Sequence, residues 1–107
     1  MPNQPEYKFV IAWRFKVKPG REQEFETAYG PAGDWARLFR QHDGYIKTDL
    51  LRDSKEERTY LTIDHWRSAD DFNQFKELYL SEYEQLDRLL ADLTESETLQ
   101  GYYLTEA

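Results

Sequence analysis

Residues 60–66 read YLTIDHW, and in an extended chain Tyr60, Thr62, Asp64 and Trp66 share one face while Leu61, Ile63 and His65 share the other. If the even-numbered face turns toward the core, Asp64 sits among Trp13, Trp35, Trp66 and Phe72. Desolvation there raises a carboxyl's pKa, the setting a general base or acid needs. Asp64 and Trp66 are therefore the candidate catalytic pair. Trp13, Trp35, Tyr60, Thr62 and Phe72 are the candidate substrate-binding wall, because flat rings offer large contact area at small entropic cost. The plainer readings are that Asp64 pairs with an arginine or caps a backbone amide, and that the tryptophans are core.

Other chemistries lack their residues. His65 neighbours Asp64, but adjacent strand residues point to opposite faces, so the two form no acid/base pair within one chain. His42 precedes Asp43-Gly44, where it favours a helix C-terminus. Two histidines without cysteine, HExxH or paired carboxylates leave no metal site. GxGxxG, GxxxxGK[ST] and GxSxG are absent, so nucleotide phosphates and serine-hydrolase chemistry have no support.

The elements that must position these residues follow from periodicity. Residues 6–17, EYKFVIAWRFKV, alternate strictly and predict a strand with Phe9, Ile11, Trp13, Phe15 and Val17 on one face. Pro19-Gly20 ends it. Phe25, Ala28, Tyr29, Trp35, Leu38 and Phe39 then recur at helical spacing, in a helix broken by Gly30-Pro31-Ala32-Gly33, with Asp34 as the cap of its second half and Asp43-Gly44 as its stop. Residues 45–52 and 57–67 predict a hairpin around the turn at 53–56. Ser68-x-x-Asp71 and Ser81-x-x-Glu84 read as two capping boxes, opening helices that carry Phe72, Phe75, Leu78 and Tyr79, then Tyr83, Leu86, Leu90 and Leu93. Residues 97–105 form the last strand.

This order predicts an α+β, ferredoxin-like (split βαβ) protomer, one domain over residues 1–107, with a four-stranded antiparallel sheet and helices on one face. The other face would carry Val10, Ala12, Leu61 and Ile63, too apolar for water, so a two-fold homodimer is expected to cover it.

Composition sharpens that expectation. Leu, Ile, Val and Phe make only 23 of 107 residues, but 3 Trp, 8 Tyr and 6 Phe supply the missing burial. The net charge of −7 falls wholly within residues 68–97, where nine acids face Lys76 and Arg88. No basic stripe exists, which argues against nucleic acid as a partner. The absence of cysteine fits the cytoplasm, no apolar run is long enough for a membrane, and residues 1–5 lack the features of a signal peptide.

The stretches VKPGREQEFETAYG, GDWARLFRQHDGY, YLTIDHWRSADDF and the closing GYY resemble the antibiotic biosynthesis monooxygenase superfamily of dimeric α/β barrels. The likeness spans residues 9–103, and its most specific parts are strand-VKPG before a helix and W-x-S after the third strand. It implies a ferredoxin-like protomer, two sheets joined into a barrel, often with C-terminal strand exchange, and an apolar pocket between sheet and helices. Some members oxidise polycyclic phenols to quinones with O₂ and without metal or flavin, and others degrade haem. Haem-degrading members carry an Asn where this chain has Trp13 and a haem-ligating His where it has Lys76, so haem chemistry is not implied. The cofactor-free oxygenases share Trp66, but have an Asn where this chain has Thr62 and a Tyr where it has Phe72, which leaves proton abstraction to Asp64 or a tyrosine.

The expectation is a cofactor-independent monooxygenase of a small aromatic phenol. The alternative is a non-catalytic dimer that binds a small aromatic or apolar ligand, and a weaker one is a lyase or isomerase on the same barrel.

Overall fold

The computed structural model describes residues 8–106. The expectations for residues 1–5, and for Glu6 and Tyr7 as the start of the first strand, lie outside the described residues. Four strands and four helices follow in the order β1 (Phe9–Val17), α1 (Glu22–Tyr29), α2 (Asp34–Phe39), β2 (Tyr45–Arg52), β3 (Thr59–Trp66), α3 (Ala69–Leu78), α4 (Leu80–Leu90) and β4 (Thr94–Leu104), with a 3₁₀ turn at Ala91–Leu93. The sheet order is β2-β3-β1-β4, every pair antiparallel. This is the split βαβ arrangement, with β3 inserted between β1 and β2.

Register decides which side chains meet. Ile11 pairs with Asp64 and Trp13 with Thr62 across β1 and β3, and Thr48 pairs with Asp64 across β2 and β3. The odd residues of β1 and even residues of β3 thus face the helices. Their core is aromatic: Phe15, Phe25, Tyr29, Trp35, Phe39, Tyr45, Tyr60, Trp66 and Phe75 are all buried, with the centroids of touching rings 4.2–6.3 Å apart. Rings at such distances add about 0.5–1.5 kcal/mol per pair beyond their burial, which offsets the shortage of aliphatic residues.

Three local expectations are corrected. Ser81 caps nothing: α4 starts at Leu80 with Tyr79 as N-cap, and the Ser81 hydroxyl, already inside the helix, accepts from Gln85 Nε2 at 3.2 Å. The chain bends at Tyr79 without unwinding, since Tyr79 N–H still donates to Phe75 O and Tyr83 N–H to Tyr79 O, so no free helix start exists for Ser81 to cap. Asp34 is the first residue of α2, not its cap; Gly33 holds that place and Asp34 accepts from Arg37 instead. The face away from the helices is less apolar than expected, because Val10 and Ala12 are buried at 8% and 5% exposure within the protomer. Tyr103 lies across from Val10, and its ring turns back over Gly101, across from Ala12: a Cβ on Gly101 would meet the Tyr103 hydroxyl at 3.0 Å. Gly101 also holds φ of +153°, which only glycine adopts readily. Leu61 and Ile63 stay half-buried and Leu51 is exposed on that face. Among the described residues no helix is long and apolar enough to cross a membrane.

Candidate active site

Between the sheet and helices α1, α2 and α4, Trp13, Phe15, Tyr29, Trp35, Phe39, Thr62, Asp64, Tyr83 and Asp87 surround a cavity. Its free space is about 420 Å³ with the open mouth included, yet only about 50 Å³ of that admits the centre of a water molecule. A ring enters only if side chains at the mouth give way, and half-buried Trp13 and Tyr83 and exposed Asp87 are the ones with room to move.

Asp64 is the buried carboxylate of this cavity, 8% exposed. The Thr48 hydroxyl donates to its Oδ1 at 2.7 Å, and the Tyr45 hydroxyl stands 2.7 Å from Thr48 Oγ1, so the three form a chain Tyr45–Thr48–Asp64. With the Thr48 proton committed to the carboxylate, Tyr45 is the donor of the second bond. No hydrogen bond among the described residues occupies Oδ2, which stays open to the cavity. Burial pushes the Asp64 carboxyl up to about 6, and the Thr48 hydrogen bond restrains that rise. The group therefore changes charge close to neutrality, as a proton-transfer residue must. The expected alternative, an arginine partner for Asp64, does not occur among the described residues; Arg67 instead holds Asp71 at 2.8 and 2.9 Å.

The tyrosines of the cavity are poor acids. Burial pushes Tyr29 and Tyr83 up to about 12, Tyr83 being disfavoured further by Asp87 and Asp64. At the sheet edge Glu97 is also raised, by partial burial and by Asp87, although its side chain reaches solvent. The Trp35 indole N–H is buried without a hydrogen-bond partner; it lies near enough to the Tyr29 oxygen to favour its ionised form, but not in the alignment of a hydrogen bond.

Of the residues singled out from sequence, the cavity brings together Trp13, Trp35, Thr62 and Asp64. Trp66 lies behind it, 0% exposed, with ring centroids of Phe39, Tyr45, Phe72 and Phe75 within 5.3–5.5 Å and no partner for its Nε1. Phe72 packs on Trp66, outside the cavity wall. Tyr60 packs at a tilt against Phe25 and donates to Glu26 Oε2 at 2.5 Å at the other end of the sheet. Sequence reasoning missed Thr48 and Tyr45, and also Tyr83 and Asp87, which α4 carries four residues apart on one face. His65 faces the opposite side of the sheet, where its Nε2 is 3.0 Å from Asp49.

Comparison with known proteins gives the same frame. SnoaB, a cofactor-independent oxygenase from Streptomyces nogalater, has a similar structure, with a TM-score of 0.69 at 23% identity over 94% of this chain and 93% of that one. An antibiotic biosynthesis monooxygenase-type protein from Bordetella bronchiseptica aligns with a TM-score of 0.72 at 16% identity over 94% and 99%, and SO0527 from Shewanella oneidensis with 0.65 at 18% over 97% and 98%. At such identities these likenesses speak for the fold. No curated protein matches the sequence. The family model for antibiotic biosynthesis monooxygenases matches residues 8–78, strands β1 to β3 with helices α1 to α3, and this chain belongs to that family.

Proposed function

We propose that the protein is a cofactor-independent monooxygenase of a small phenolic aromatic, acting as a homodimer in the cytoplasm. The observation that carries this reading is Asp64: a buried carboxylate with one oxygen held by Thr48 and the other open to an aromatic cavity. Trp13 and Trp35 hold the ring from its faces and Thr62 lies beside its hydroxyl, while Trp66 and Phe72 fix β3 from behind and Tyr60 anchors its far end. Asp64 takes the phenolic proton. The resulting anion is electron-rich enough to pass an electron to O₂; the two radicals combine at a ring C–H carbon, Asp64 returns its proton to the peroxide formed there, and loss of water, which takes the hydrogen of that carbon, leaves a C=O. Of the two oxygen atoms of O₂, one stays in the quinone product and one leaves in water, so no further reductant is consumed. The small cavity keeps bulk water from the anion.

The test is oxygen uptake with a panel of anthrone-like phenols. The wild-type protein is expected to consume one O₂ per quinone formed, Asp64→Asn to lose at least 100-fold in rate by the usual weight of a general base (~10²–10⁴-fold), and Trp66→Phe to lose less. Unchanged turnover in Asp64→Asn would sink the mechanism. Saturable binding without oxygen uptake would favour the non-catalytic ligand binder, which the largely aromatic wall also suits.

A further inference from the structure

The cavity holds carboxylates but no cation. Asp64 and Asp87 line it, and Glu97 lies close enough to Asp87, Tyr29 and Tyr83 to act on each. Neither Asp87 nor Glu97 makes an ion pair or hydrogen bond among the described residues, and Asp64 bonds only the neutral Thr48. Lys76 Nζ stands 4.7 Å from the Tyr83 ring centroid, but Lys76 does not line the cavity. Six aromatic rings complete the wall. The Trp35 indole N–H, buried, has no protein partner, and Asp64, which lines the cavity, makes no hydrogen bond through Oδ2 among the described residues.

Carboxylates beside the faces of several aromatic rings suit an ammonium ion: each ring attracts a cation to its face, and each carboxylate gives it a counter-charge at reduced dielectric. The same surroundings oppose an anion: burial first, and the neighbouring carboxylates second, disfavour the ionised form of both cavity tyrosines. That is a difficulty for oxidation of a simple phenol, whose anion would form with no positive charge near it. A substrate that brings its own cation removes the difficulty, since its ammonium stabilises the phenolate while meeting the carboxylates at the mouth.

We infer that the ligand of this cavity is a phenol bearing a protonated amine, its ammonium at Asp87 and Glu97 and its hydroxyl at Asp64. The inference rests on the phenol-oxidation reading for the role of Asp64, but its binding preference can be measured apart from any reaction. The surface charge of residues 68–97 adds to it by concentrating cations on this side of the molecule.

Isothermal titration of the full chain with tyramine, 4-ethylphenol and 4-hydroxyphenylacetate compares one phenol with a positive, an absent and a negative charge. The expected order is tyramine tighter than 4-ethylphenol by about fivefold or more at low ionic strength, with 4-hydroxyphenylacetate weakest, and the spread narrowing as salt rises. Asp87→Asn, an exposed change that leaves the core intact, is expected to weaken tyramine about threefold and leave 4-ethylphenol unchanged, and Glu97→Gln to act in the same direction. Equal affinities, a preference for the carboxylate, or no binding of any of the three at millimolar concentration overturns the inference. An oxygen electrode on the same samples separates the two readings: the predicted order without oxygen uptake fails the oxygenase alone, and oxygen uptake with the neutral or anionic phenol preferred fails the ammonium site alone.

Discussion

Thr48 and Asp64 face each other across β2 and β3, and the threonine hydroxyl donates to the aspartate at 2.7 Å while accepting from Tyr45. The bond has a consequence for charge. A hydroxyl that donates to a carboxylate favours its ionised form, so Thr48 holds down a pKa that burial alone would carry higher.

Thr48→Val keeps the shape of the side chain and removes the donor. A hydrogen bond to a charged group contributes about 1.5–3 kcal/mol, so the Asp64 carboxyl is expected to rise by about one unit or more above its value near 6. The acid limb of the oxygen-uptake profile should move up with it. A carboxyl-detected NMR titration of Asp64 reads the shift directly; an unmoved midpoint would show that the threonine does not tune the group.

Asp64 also makes stability depend on pH in a defined direction. Its folded pKa, about 6, exceeds its ordinary value of 3.8, so the folded protein binds the proton more tightly than the unfolded chain. Stability from this group is gained as pH falls through 6, levels off below about 4, and is absent at pH 8. Between pH 8 and pH 5 the wild-type protein should gain about 1.4 kcal/mol relative to Asp64→Asn, which cannot titrate. Urea unfolding of both proteins at the two pH values gives the difference, and a wild-type protein that instead loses ground on acidification would contradict the raised pKa.

The strand alternation that exposed Asp64 on the sequence did not expose Thr48, and the reason is the hairpin turn. A turn limited to residues 53–56 pairs Arg52 with Glu57 and puts Thr48 out of register with Asp64. The true turn closes with Asp53 N–H on Thr59 O and carries Arg58 in the left-handed region at φ 58°, which no composition rule predicts for an arginine. Trp66 shows the opposite limit: alternation placed it on the inner face, but not whether that face at its position meets a cavity or Phe39, Tyr45 and Phe75, which come from three other elements. Strand and helix identities, by contrast, were legible because period 2 and period 3.6 are local properties of the chain.

The two serines that looked alike in sequence provide a third prediction. Ser68 Oγ accepts from Asp71 N–H at 3.1 Å at a true helix start, whereas Ser81 lies inside α4. Ser68→Ala should destabilise the protein by about 1 kcal/mol, and Ser81→Ala should change it by less than about 0.5 kcal/mol, because alanine favours a helix interior. Thermal or urea unfolding of the two variants side by side decides it; equal losses would mean that Ser81 caps after all.

Gly44 forms the floor on which that helix start rests. A Cβ there would collide with the Cβ and Cγ of Asp71, and the Gly44 carbonyl already accepts from Arg67 N–H at 2.7 Å. Asp71 in turn accepts from Ser68 Oγ and from Nε and Nη2 of Arg67, and those bonds, led by Arg67, hold its carboxyl down at about 2. Gly44→Ala has no flexible group to push aside, since the obstructing atoms are the root of a side chain fixed from three directions. It should cost about 1–3 kcal/mol by overpacking and raise the Asp71 pKa toward its ordinary value of 3.8 as the bonds to Arg67 and Ser68 lengthen. Unfolding in urea measures the first effect and a carboxyl titration of Asp71 the second. A destabilised variant with an unmoved Asp71 would place the strain in the backbone at Gly44 rather than in the carboxylate it supports.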